Sequence, residues 1–297
     1  MKWILLGVAA IALIELVLRI GFGFGTPLLY LGDPEIGYLL APNQSVRRFG
    51  NRIKVNSYSM RSDAISLKPP AGTRRILLLG DSIVNGGWWT DQAKILSEVM
   101  ARQAHQPTEV FNASANSWAP RNELAYLQRF GVFNADVVVL VINTDDLFGT
   151  VPSSRVVGHH HNYPDRKPFC AIAEVIQRYL FPISPGSEAV QAETGDRVGA
   201  NLAAISQIHR LVKQNHAEFL LAMTPLLREL EPPGSRDYER VARQRLWELT
   251  QAEAIAYLDF LPIFERSQPK HLYRDHIHLS ELGTQRVSES IIRSIEG

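Results

Sequence analysis

A serine, an aspartate and a histidine stand in this chain where nucleophilic chemistry would need them. Residues 76–90 read ILLLGDSIVNGGWWT, an apolar run broken by Gly80, Asp81 and Ser82 and again by Gly86 and Gly87. A serine hydroxyl is a poor nucleophile until a base takes its proton, and it must stand clear of its strand to meet a substrate. Ser82 lies just past the end of a strand-like run, and Gly80 permits the sharp exit it requires. Far along the chain, residues 273–280 read YRDHIHLS ahead of an amphipathic helical stretch that carries Leu282, Val287, Ile291 and Ile292. Three-residue spacing lets Asp275 and His278 project to one side of a tight turn, so the carboxylate can hold one imidazole nitrogen while the other faces Ser82. D-x-x-H spacing leaves the competing His276 as a loop residue. Asn143 follows the apolar run 136–142, and a side-chain amide at the end of a strand can donate to an oxyanion. G-D-S alone would be ordinary turn chemistry; all four residues in this order point to a site.

These positions, in this order, resemble the SGNH or GDSL hydrolase family, whose four motif blocks supply a serine, a glycine, an asparagine and a histidine. The resemblance covers roughly residues 74–297. It implies Ser82 as nucleophile, His278 as general base, Asp275 as the triad acid and Asn143 as the oxyanion-hole amide. The backbone N–H groups of Ser82 and Ser117 would be the other oxyanion donors. Two blocks depart from the family pattern. In residues 112–118, NASANSW, Ser117 occupies the usual glycine position, which keeps a backbone donor but gives up the φ > 0 freedom of glycine. Residues 142–144, INT, stand where Gly-Asn-Asp is usual.

The resemblance implies a serine esterase acting on a small ester or an acylated glycan, with no metal and no organic cofactor. An alternative keeps the acyl-enzyme but passes the acyl group to a sugar hydroxyl, as an O-acetyltransferase or deacetylase of envelope polysaccharide would. A third reading, supported only by Ser117, is a catalytically idle glycan-binding or scaffolding domain. Trp88, Trp89 and Trp118 each follow a catalytic block closely, and indole faces stack well on sugars and acyl chains. Wedging loops onto the sheet is an equally open reading for them. Asp145 and Asp146 could trim substrate choice, although two acids after a strand commonly cap a helix or sit in a solvated turn. His159, His160 and His161 are read as solvated loop, since adjacent histidines cannot all converge on one ion.

The elements that must position these groups alternate as an α/β fold demands. Strands are expected at 76–79, 109–111, 137–142, 219–223 and 256–258, with helices near 91–104, 122–130, 199–214 and 237–252. Together they predict a three-layer αβα sandwich with a five-stranded parallel, flavodoxin-like sheet. If the strand order is 2-1-3-4-5, the switch point holds Ser82 and Asn143 side by side. Residues 149–198 form an insertion after the third strand, a candidate lid, with a short apolar helix near 172–180 and an acidic solvated loop over 188–196.

Ahead of the catalytic domain, residues 21–73 are rich in proline and glycine and are expected to pack as an extended lead-in, because Leu28, Tyr30, Tyr38, Leu39 and Ile53 need burial. Residues 3–20 are nearly all apolar and, as a helix rising about 1.5 Å per residue, would extend about 27 Å, close to a bilayer core. Residues 1–20 are therefore read as an uncleaved transmembrane signal anchor, with Glu15 and Arg19 four apart and able to pair. A cleaved signal peptide is the rival reading, with 21–25 as its cleavage zone. Lys2 at the start weakly places the bulk of the chain outside the cytoplasm, periplasmic or at the cell surface. A formal net charge of +1 over 297 residues leaves no polyanion footprint, so nucleic acid is not expected as a partner. A single cysteine, Cys170, allows no internal disulfide.

Overall fold

The computed structural model describes residues 1–181 and 193–297; the part of the expected acidic loop over 188–192 lies outside the described residues. The chain opens with α1 (Lys2–Phe22), an apolar helix none of whose residues is buried. Two antiparallel hairpins follow, β1 (Tyr30–Asp33) with β2 (Gly37–Leu40) and β3 (Gln44–Arg48) with β4 (Asn51–Val55). These hairpins replace the extended lead-in expected from composition. The apolar residues there, spaced by Gly37, Asn43 and Gly50 at positive φ, turn inward, and Tyr30, Tyr38, Leu39 and Ile53 are buried.

The remaining chain runs β5 (Arg74–Gly80), α2 (Ser82–Asn85), α3 (Leu96–Gln103), β6 (Thr108–Ser114), α4 (Pro120–Phe130), β7 (Val137–Asn143) and α5 (Ala171–Val175). It continues through α6 (Arg197–Gln214), β8 (Glu218–Thr224), α7 (Asp237–Ala252), β9 (Ala256–Asp259), α8 (Leu261–Glu265), α9 (Pro269–Leu272) and α10 (Glu281–Glu296). Strands β5 to β9 form one parallel sheet in the order β6-β5-β7-β8-β9, the expected 2-1-3-4-5 arrangement. Alternate residues of each strand face opposite layers, as a pleat requires. Leu77, Leu79, Val138, Leu140 and Leu221 pack with Tyr126 of α4, Ile205 and Ile208 of α6, Leu246 of α7 and the N-terminal hairpins. Ile76, Leu78, Val137, Val139 and Ala222 pack with Met100 of α3, Phe264 of α8, and Val287 and Ile291 of α10. A sheet covered on both faces carries continuous apolar strands, which is why β7 reads VVVLVIN with every residue buried.

The single helix expected over 91–104 is divided. Asp91 caps a short 3-10 turn, Gln92–Lys94, and the extended, buried Ile95 separates that turn from α3. The described part of the insertion adds α5 and a wide helical turn, Ile176–Leu180.

Candidate active site

β5 ends at Gly80, and the chain turns at once into α2 with Ser82 as its first residue. Asp81 caps this helix, its Oδ1 accepting from the Ile83 N–H at 2.8 Å. The need for glycine at position 80 is close approach rather than a special φ: a Cβ there would lie 2.6 Å from the Val141 carbonyl oxygen and 2.5 Å from Cγ2 of Val84. On the loop before α10, Oδ1 of Asp275 accepts the N–H groups of Ile277 at 3.1 Å and His278 at 2.9 Å, tying a tight turn. Nδ1 of His278 lies 2.8 Å from Oδ2 of Asp275, and Nε2 lies 3.0 Å from Oγ of Ser82. An ionised carboxylate only accepts hydrogen bonds, so Nδ1 carries the proton and Nε2 offers its lone pair to the serine. Burial pushes the Asp275 carboxyl upward, but the N–H bonds and the imidazole outweigh it and hold the group below the usual carboxylate range. His276, its side chain 82% exposed, points into solvent.

A buried carboxyl group lies on the other side of the serine. Oγ of Ser82 is 3.2 Å from Oδ2 of Asp81, and that same oxygen accepts Nδ2 of Asn143 at 3.0 Å. Nδ2 of Asn143 also donates to Oδ2 of Asp146 at 2.9 Å, which in addition accepts the Asn143 backbone N–H at 2.8 Å. Glu123 of α4 is fully buried, and neither of its carboxyl oxygens has a hydrogen-bond partner among the described residues. Burial raises Asp81, and burial with the nearby carboxyls pushes Asp146 and Glu123 well above the usual range. Ser117 stands at φ +61°, so a serine holds the left-handed conformation that the glycine position demands. The sequence argument that this conformation would be given up is corrected here. Tyr38 and Tyr163 fasten the loop, donating from their hydroxyls to the Asn116 carbonyl at 2.7 Å and to Oγ of Ser117 at 3.1 Å.

The profile of the GDSL-like lipase/acylhydrolase family matches residues 78–286. The chain belongs to this family. Among solved structures, this acylhydrolase is similar to LAE5, an alpha/beta hydrolase enzyme from the metagenome of Lake Arreo, Spain. The TM-score is 0.51 at 11% identity, over 77% of this chain and 97% of the other. A mutant of Axe2, an acetyl-xylooligosaccharide esterase from Geobacillus stearothermophilus, gives a TM-score of 0.50 at 13% identity, over 78% of this chain and 97% of its own. Both likenesses are of fold. No curated protein sequence matches the chain.

The crevice of the acylhydrolase encloses about 270 Å³ and is walled by Ser82, His278, Trp88, Trp89, Ser117 and Tyr163, among others. Its far side is built outside the motif blocks: Thr26, Phe49 and Ile53 come from the N-terminal region, and Tyr163, Pro164, Arg178 and Tyr179 from the insertion. The three tryptophans divide. Trp88 is partly exposed beside Phe49, ring centroids 5.1 Å apart. Trp89 meets the imidazole of His278 edge-on at 4.5 Å and carries the Arg274 guanidinium 5.0 Å from its ring. Trp118 is not in the crevice wall, which corrects its assignment to substrate: its ring is buried against Tyr126 and its Nε1 donates to the Tyr38 carbonyl at 3.0 Å. Asn143 and Asp146 are likewise buried away from the wall. His160 and His161 stack on each other at 4.4 Å.

Arg61, which the sequence reading passed over, is completely buried. Its guanidinium donates to the carbonyls of Asn85 at 2.6 Å, Gly87 at 2.5 Å and Thr90 at 2.6 Å, clamping the loop between α2 and the crevice tryptophans. Burial pushes this guanidinium down to about 9. An isolated arginine in a proline- and glycine-rich stretch carries no local signal of that role.

Proposed function

We propose that this carboxylic ester hydrolase works through an acyl-serine on Ser82 and acts on an O-acyl ester outside the cytoplasm, held to the membrane by α1. The contact between Oγ of Ser82 and Nε2 of His278, 3.0 Å across 196 positions of chain, carries the reading. As Oγ attacks the ester carbonyl carbon, Nε2 takes the hydroxyl proton, and Asp275 holds the imidazole in the tautomer that can accept it. Collapse of the tetrahedral intermediate breaks the bond to the alcohol, which leaves with the proton from Nε2. Water then attacks the acyl-enzyme by the same route and frees the acid.

On this reading the oxyanion is held by the backbone N–H groups of Ser82 and Ser117, with Asn143 as the third donor. Asn143 would reach it by exchanging its bond to Asp81, the carboxyl that already lies beside Oγ of Ser82. Trp88 and Trp89 line the acyl or alcohol side of the crevice. The anchor reading is supported by the length and apolar character of α1 and by its tie to the rest of the fold. The Glu15 carboxylate accepts the N–H groups of Ala171 and Ile172 at the start of α5, a cap that cleavage after α1 would remove. Lys2 ahead of the apolar run favours an extracytoplasmic catalytic domain.

The test is intact-mass labelling of the full chain in detergent with a fluorophosphonate, beside Ser82→Ala and His278→Ala. One adduct, formed with loss of fluoride and absent from both variants, is expected. An adduct that persists in Ser82→Ala would overturn the assignment.

A further inference from the structure

The segment from Phe169 to Phe181 presents large apolar side chains to the outside on the face beside α1. Phe169 is 97% exposed, Leu180 67% and Phe181 71%, and Ile176 and Tyr179 are exposed as well. Soluble surfaces rarely group such residues, and a patch of this kind marks an interaction site. Its neighbour indicates the occupant. Residues 3–14 of α1 are without charge, and the first charged pair, Glu15 with Arg19 at 2.5 Å, lies in the last two turns of the helix, about 10 Å or less before its end, at the boundary between acyl chains and headgroups.

At that level α1 meets the insertion. The Glu15 carboxylate takes the N–H of Ala171 at 2.8 Å and of Ile172 at 3.0 Å, so the start of α5, two residues past Phe169, is tied to the helix about 10 Å before its end, the depth at which an interfacial element sits. Buried polar and aromatic contacts fasten the junction. Glu174 of α5 accepts the Gly25 N–H at 2.6 Å and forms a buried ion pair with Arg48 at 2.6 Å, while Tyr179 packs edge-on against Phe24 at 6.2 Å. Arg166, paired with Asp165 at 3.7 Å, and Lys167, both exposed, precede Phe169 and leave one net positive charge for anionic headgroups to attract. Aromatic and aliphatic side chains flanked by basic residues, continuous with an apolar helix, have the composition of an element lying in the interfacial layer.

We propose that Phe169–Phe181 is a second membrane-contacting element, seated in the headgroup region of an anionic bilayer beside α1. Arg178 and Tyr179 of this element also wall the crevice, so seating it turns the crevice mouth to the lipid surface and the ester is drawn from an amphiphile held there. The inference rests on the anchor reading of α1.

The experiment uses full-length protein in vesicles of phosphatidylcholine and phosphatidylglycerol. With Cys170→Ser as background, single cysteines at Val8→Cys, Phe169→Cys, Phe181→Cys and Val241→Cys carry an environment-sensitive fluorophore. Lipids spin-labelled near the headgroup should quench probes at 169 and 181 and leave the probe at 241 bright, while deep labels quench the probe at 8. Quenching at 8 without quenching at 169 and 181 overturns the second contact and leaves the anchor standing. No quenching at 8 removes the anchor and the inference with it. As a second readout, Phe169→Ser with Phe181→Ser should keep turnover of a short soluble ester while turnover of a vesicle-borne ester falls at least about tenfold, the order expected when a substrate is presented out of register. Equal turnover of the vesicle-borne ester by parent and variant overturns the substrate claim.

Discussion

The side-chain amide of Asn143 donates to Oδ2 of Asp81 at 3.0 Å, the same oxygen that lies 3.2 Å from Oγ of Ser82. Its second proton goes to Asp146, so the amide bridges two buried carboxyls instead of lying open in the crevice. Asn143→Ala removes one donor from each carboxyl, while the residue-143 backbone N–H stays on Asp146 and Oγ of Ser82 on Asp81, so each lost bond should cost about 1 kcal/mol. The variant should therefore lose stability as well as roughly two to three decades of kcat. Thermal unfolding alongside ester turnover checks both. An unchanged Tm would refute the bridge, and an unchanged kcat would refute donation to the oxyanion.

Asp275 touches His278 and its own turn, and nothing else among its hydrogen bonds reaches the crevice. Asp275→Asn should lower kcat by about four decades with little change in KM, because the neutral amide favours the wrong imidazole tautomer. The Asp275 carboxyl is held below the usual carboxylate range, so its protonation should add no step to the pH profile of kcat/KM where an ordinary carboxylate titrates. A step in that range that Asp275→Asn removes would contradict this.

Glu123 is raised by burial, so folding takes up a proton wherever the unfolded carboxyl is ionised. The sign follows: above the unfolded value of about 4.3, stability falls with rising pH by up to about 1.4 kcal/mol per unit until the folded group ionises. Glu123→Gln abolishes that slope. The difference in Tm between variant and parent should therefore grow in the variant's favour from pH 5 to pH 8, and a constant difference would show Glu123 ionised in the fold.

Arg61 satisfies three backbone carbonyls from the buried side of the loop that follows α2. Arg61→Met keeps the apolar stem but strands those oxygens, and should cost on the order of 3 kcal/mol. Fluorophosphonate labelling of Ser82 should slow in step, as the loop that carries α2 and Trp89 loosens. Denaturant unfolding and labelling rates test the pair.

Ser117 at φ +61° bears strain of about 1–2 kcal/mol, offset by its bond from Tyr163. Ser117→Gly relieves the strain, loses that bond and gains entropy in the unfolded chain, so it should fall within about 1 kcal/mol of the parent and stay active. Ser117→Val, β-branched, should lose at least about 2 kcal/mol and most activity. Equal stabilities for the two would mean that the loop does not hold its left-handed turn.

Much of the site was legible in the sequence because its signals are local. A strand followed by Gly-Asp-Ser places Ser82 at a carboxyl end, D-x-x-H closes a turn that brings Asp275 to His278, and unbroken apolar runs mark strands covered on both faces. The same alternation and spacing suffice for a five-stranded parallel sheet, whose right-handed crossovers leave few topologies open. The apolar run of α1 is just as plain. What only the tertiary structure decided concerns residues whose roles depend on distant partners. Arg61 carries no local signal until Asn85, Gly87 and Thr90 surround it, and Trp118 reads like Trp88 and Trp89 until Tyr38 and Tyr126 enclose it. Asn143 is drawn inward by two carboxyls 62 and 3 positions away, and Ser117 is held at positive φ in a loop fastened by Tyr38 and Tyr163. Periodicity and spacing report the chain's own geometry; the burial of a polar side chain is set by which partners the fold brings to it, and no local pattern carries that information.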